Sequence, residues 1–131
     1  MKLIKLALIA TLSFSVANAE NVMQKSMSMM DEGMTLIQKG FINSNIALIK
    51  DGAKLVDEGN ALFSDEKIIK EFLPKDKKHM INVAENASKR ISLDLNVLEL
   101  NVDEKAYVNA ANAYSDMLNA CSRCHSIVRE W

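Results

Sequence analysis

The sequence predicts an all-α protein, an up-down-up-down four-helix bundle. Three observations carry that expectation. Glycine and proline number only four and one in 131 residues, so little interrupts a helix. Apolar residues recur three and four positions apart in four long stretches, the signature of helices with one buried face. The links between the stretches are short, which returns each helix antiparallel to the one before.

The chain opens on a segment outside the bundle. Residues 1–5 carry two lysines, residues 6–16 are apolar, and Ala17-Asn18-Ala19 has the small-x-small pattern of a leader cleavage site. The pattern predicts a signal peptide over 1–19 and a mature domain over 20–131, located in the periplasm. The apolar run is short for a bilayer span, so no stable membrane insertion is expected.

The first mature helix is expected over about 21–39, with Met23, Met27, Met30, Met34 and Ile37 as its stripe and Gly40 as its C-terminal stop. The second is expected over about 43–61, with Ile42, Ile46, Ile49, Ala53 and Val56 inward. Ser64 is expected to cap a short helix over 65–73, closed by Pro74. The third long helix is expected over 75–100. Ile91, Leu93, Leu95 and Val97 alternate as in a strand, but Ala84, Ala87, Ile91, Leu95, Leu98 and Val102 keep helical spacing, and no partner strand is in sight. The fourth helix is expected to start on Asp103 as N-cap and to run to the end through Ala106, Ala110, Ala113, Met117, Cys121 and Cys124 on one face.

That last helix carries the chemistry. Cys121-Ser122-Arg123-Cys124-His125 is the Cys-x-x-Cys-His attachment pattern of a c-type haem. Thiols three residues apart share one side of a helical turn and can both reach the vinyl groups of one porphyrin. His125 then offers its imidazole to the iron as proximal ligand. A zinc site would need four ligands, and His79 is the only other histidine, with no further cysteine. A thioredoxin-like pair would open a long helix, whereas six residues follow His125. An exported chain suits covalent haem c. Antiparallel topology brings the start of the first helix level with the end of the last, which places Met27 or Met23 across from His125 as distal iron ligand. Met27 is preferred, because Met23 stands at a fraying helix end.

Charge bounds the partners. Loss of Lys2 and Lys5 with the leader lowers the 16 basic residues to 14 against 17 acidic ones, a net charge of −3, which argues against nucleic acid. No Ser-His-Asp set, phosphate loop or convincing carboxylate pair is present, so no enzyme is expected.

Cys121, Cys124, His125 and Arg129, one turn beyond the histidine, together with the bundle pattern, resemble the cytochrome c prime family, the class II c-type cytochromes. The resemblance covers the mature chain in architecture, and those four residues as a motif. It implies one covalent haem near the C-terminus, bound through Cys121 and Cys124, with Arg129 beside it. In that family a residue of the first helix faces the open side of the iron. An apolar residue there leaves the iron five-coordinate and able to bind nitric oxide or carbon monoxide. A methionine there closes it for electron transfer. The early Tyr-Arg pair of the family is absent, which leaves Lys25 and Arg90 as candidates for the haem carboxylates. The resemblance therefore implies a periplasmic monohaem electron carrier with His125 and a methionine on the iron, exchanging electrons with periplasmic redox proteins, or else a gas-binding cytochrome. A third reading takes the methionine-rich first helix as a soft Cu(I) site. The sequence leaves dimerisation open.

Overall fold

The computed structural model describes residues 13–131, with side chains described from Asn21 onward. The leader's basic residues and most of its apolar run lie outside the described residues. Within them the chain is all-helical: α1 (Ser13–Ile42), α2 (Ile46–Phe63), α3 (Glu66–Phe72), a 3-10 segment (Lys75–Met80), α4 (Ile81–Asp103) and α5 (Tyr107–Val128). The expected cleavage point after Ala19 falls inside α1. None of these helices is long and apolar enough to cross a membrane.

The four long helices form two hairpins. α1 packs along α2, and α4 along α5. The hairpins join chiefly through α2 and α4, while α1 and α5 meet sparingly. One of the α1–α5 contacts is an edge-to-face pair of Phe41 and Tyr114, with ring centroids 6.2 Å apart. The core runs from Met23, Met30 and Ile37 of α1 through Ile49, Val56 and Phe63 of α2. It continues into Ile91, Leu95 and Leu98 of α4 and Ala110, Ala113 and Met117 of α5.

The α1–α2 seam is made of small residues. All four glycines of the chain lie on it. A Cβ at Gly33 would stand 2.6 Å from the Gly52 carbonyl oxygen, and one at Gly59 would stand 2.9 Å from that of Ser26. Side chains are excluded because the two backbones nearly touch. Ser26 reinforces the seam by donating from Oγ to the Gly59 carbonyl at 2.7 Å, fully buried. This corrects the reading of Gly40 as a helix stop. The helix continues past it to Ile42, and Gly40 lies against Ile49, where a Cβ would meet the Ile49 amide nitrogen at 2.8 Å.

The real end of α1 needs no glycine. Ser44 takes a left-handed φ of 52°, and the amide of Asn45 returns to the Gly40 carbonyl at 2.8 Å. α2 therefore starts later than expected, with Asn45 Oδ1 accepting from the Leu48 amide at 3.2 Å. Ile42 and Ile46, expected inward, are 73% and 42% exposed, Ile42 as the last residue of α1 and Ile46 as the first of α2. Asp65, not Ser64, caps α3, accepting from the Lys67 amide at 2.8 Å, while Ser64 ends α2. The expected single helix from Lys75 is a 3-10 segment followed by α4. No residue of Lys75–Met80 is buried, so no packing selects the wider α turn there.

α4 resolves the alternating stretch as helix. Ile91, Leu95 and Leu98 are buried, whereas Leu93 and Val97 are 60% and 47% exposed. α4 also outruns its expected end. Asp103 is its last residue, and not the cap of α5, because Lys105 closes the helix in a left-handed conformation (φ 59°) with the Ala106 amide bonded to the Asn101 carbonyl at 2.8 Å. Asp103 instead receives Lys50 Nζ at 2.7 Å, an exposed ion pair between α4 and α2. α5 then runs from Tyr107 and stops at Val128, short of the chain end.

Candidate functional site

Cys121, Cys124 and His125 sit in the last two turns of α5. Their spacing of three and four residues sets them on one face. Cys124 is 9% exposed, and Cys121 and His125 are half-buried. Both cysteines are free thiols. Burial pushes both thiols up, with Cys121 as a further cause at Cys124, so they are held protonated rather than activated as thiolates. His125 is pushed down, first by burial and then by the neighbouring Arg129 guanidinium. That direction keeps the imidazole neutral, the form in which its nitrogen can bind a metal.

A cleft of about 600 Å³ between α4 and α5 reaches Cys124, and two others, which also reach His125, open beside this face. The larger, of about 750 Å³, lies between α1 and α5, with Ile91 and Ala87 of α4 behind it and Leu118 and Trp131 at its edge. Met27, Met30 and Met34 line it from α1, facing Cys121, Cys124 and His125. The second, of about 650 Å³, lies under α3 and the 3-10 segment, roofed by Ile69, Phe72, Leu73 and Pro74. It too reaches Cys124 and His125, and Met23 and Met27 form part of its wall. Phe63, Met27, Cys124, His125 and Arg129 line both clefts, so the two are neighbouring lobes around one set of side chains. Each volume is within the roughly 300–1,000 Å³ of small-molecule and cofactor sites.

The clefts separate the two distal candidates. Met23 is fully buried and lines only the smaller cleft, which Cys121 does not line. Met27 is half-buried and lines both, including the one that holds both cysteines. Arg129 terminates α5, its amide bonded to the His125 carbonyl at 2.8 Å, and lines both clefts.

Other candidates lie elsewhere. Lys25 is exposed and lines neither cleft. Arg90 lines neither of the two clefts at His125 but the one between α4 and α5, donating from Nε to buried Asp94 at 2.8 Å and lying 3.5 Å from Asp116 of α5. His79 is exposed and also lines neither cleft. Trp131 is 81% exposed at the rim of the larger cleft.

Sequence reasoning missed three members of the site. Phe63 forms a wall of both clefts, and its signal was present, since it continues the seven-residue rhythm of Ile49 and Val56. Lys77 and Glu130 stand on the rim and pair at 2.8 Å. They are 53 residues apart, and no local pattern joins them. Among the described residues no cluster of three or more His, Cys, Asp or Glu side chains is placed to hold a metal ion by itself.

No family model, curated protein or solved structure matches the chain.

Proposed function

We propose that this protein is a periplasmic monohaem c-type cytochrome, a helical-bundle electron carrier whose iron would be held by His125 and Met27. The observation that carries the reading is the convergence of two thiols, an imidazole and thioether sulfurs on one largely apolar cleft of cofactor size. The residues present fit a covalently bound haem. Cys121 and Cys124 would hold the porphyrin through thioethers, His125 would ligate the iron, and Phe63, Ile91 and Leu118 would pack on the macrocycle. When bound, the haem supplies one-electron exchange with little structural rearrangement. The chain's own part is to exclude water with the α1 and α4 walls and to hold His125 deprotonated by burial. A thioether ligand from Met27 would favour the reduced iron and raise its potential.

The same groups weigh against a dithiol redox centre. Its attacking thiol needs a depressed pKa, whereas both thiols here are pushed up.

The test is haem staining of the exported protein after denaturing electrophoresis, followed by absorption spectra of both oxidation states. A stained band and low-spin spectra are expected. A haem lost to acid-acetone extraction would overturn covalent attachment. A high-spin iron that binds carbon monoxide readily would replace the carrier by a binder of nitric oxide or carbon monoxide.

A further inference from the structure

Haem brings a charge problem that the sequence leaves open. Its porphyrin carries two propionate carboxylates, and a carboxylate at a half-buried cleft needs a cation or a wet edge. The cations among the residues lining the two clefts around His125 are Lys77 and Arg129. The two sequence candidates, Lys25 and Arg90, are respectively out on the surface and bound to Asp94 and Asp116.

Lys77 is held unlike its neighbours. Lys75 and Lys78 are exposed, but the Lys77 side chain is only 21% exposed and turns towards the end of α5. The segment that carries it is fixed by the turn at Pro74, whose carbonyl accepts the Lys77 amide at 2.8 Å. Its present partner is Glu130, on a side chain 72% exposed, two residues past the end of α5. Asp76 and Glu130 also line this cleft, and Asp31 lines the other. With Lys77 held by Glu130, Arg129 is the cation left for one incoming carboxylate, and a second carboxylate needs that pair exchanged.

We infer that Lys77 is a haem-binding residue. Its ammonium takes one porphyrin propionate, displacing Glu130 to solvent, and Arg129 stands beside the other. The inference rests on the haem reading above. It also accounts for the 3-10 segment, which delivers a cation from between α3 and α4 to the mouth of the site. Glu130 occupies that cation until the haem arrives.

The experiment measures midpoint potentials of the holoproteins with Lys77→Gln, Lys77→Arg, Glu130→Gln and the Lys77/Glu130 double substitution. Loss of a cation near the haem favours the oxidised form. Lys77→Gln should displace the redox equilibrium about threefold towards ferric, the scale of a partly exposed ion pair. Lys77→Arg should restore the wild-type value. Glu130→Gln should leave it unmoved, and the double variant should match Lys77→Gln. If Lys77 stays with Glu130 in the holoprotein, the two single substitutions shift the potential in opposite senses and the double cancels them, which overturns the inference. An unmoved potential in Lys77→Gln with covalent haem intact also overturns it while sparing the haem reading. A wild-type protein without covalent haem overturns both.

Discussion

Met27 and Met23 lie one helical turn apart on α1, yet they differ in what they can reach. Met23 is fully buried and borders only the smaller cleft, whereas Met27 borders both, including the one that holds both cysteines. On the proposed ligation by His125 and Met27, Met27→Leu should remove the sulfur-to-iron band in the near-infrared of the oxidised protein, turn the haem largely high-spin and open it to carbon monoxide. Met23→Leu should leave the spectrum unchanged and alter stability by less than about 1.5 kcal/mol, as volume-conserving core swaps do. Spectra and chemical denaturation of the two variants decide between them. His125 offers a second residue-scale test, in Cys121→Ser/Cys124→Ser protein without haem. Its pKa in the folded chain lies below the unfolded value, so protonation favours unfolding. The stability is fully present at neutral pH and falls as the pH drops through about 6.5 towards the lower folded value. Adding His125→Asn should flatten urea-midpoint stability over pH 7 to 5.5, and an unchanged slope would place the dependence elsewhere.

At the level of elements, helix faces were legible in the sequence except around the start of α2, where Ile42 and Ile46 are exposed, and helix ends were not. The faces follow burial, which repeats every three or four residues, so Ile49, Ala53 and Val56, or Ile91, Leu95 and Leu98, declare themselves. The ends depend on which of several polar residues wins a local bond. Ser64 and Asp65 both qualify as a cap, and the Asp65 carboxylate takes the Lys67 amide. Ser44 and Lys105 close α1 and α4 in left-handed conformations that sequence reading reserves for glycine. Conversely Gly40, the obvious stop, serves the close approach to Ile49. In the site, Cys121, Cys124 and His125 were legible because they are contiguous, whereas the Lys77–Glu130 pair arises only from tertiary folding. Two measurements follow. Lys105→Gly should stabilise the protein by about 1 kcal/mol, by relieving a left-handed lysine. Gly33→Ala should destabilise it by roughly 1–3 kcal/mol despite alanine's better helix propensity, because the added methyl meets the Gly52 carbonyl. Urea titration checks both.

Across the whole molecule the two hairpins are built differently. α4 and α5 approach through alanines and join α2 in a core that ends at the clefts, while α1 and α5 scarcely touch there. A domain of this size has little apolar area in reserve, so filling that gap should matter to the entire fold. Haem-free Cys121→Ser/Cys124→Ser protein should melt at lower temperature and less cooperatively than holoprotein, by near-ultraviolet dichroism. The α1–α2 seam stands apart from that dependence, since its contacts are backbone against backbone and involve no cleft residue at Gly33, Gly40 or Gly52. It follows that the first half of the chain can act as a separately cooperative unit. In the haem-free protein, amide hydrogens along 33–56 should exchange slowly with deuterium while those of the last turns of α5 exchange fast. The seam would then be standing before the proposed haem is attached, a finished wall against which the reactive end of the chain is closed.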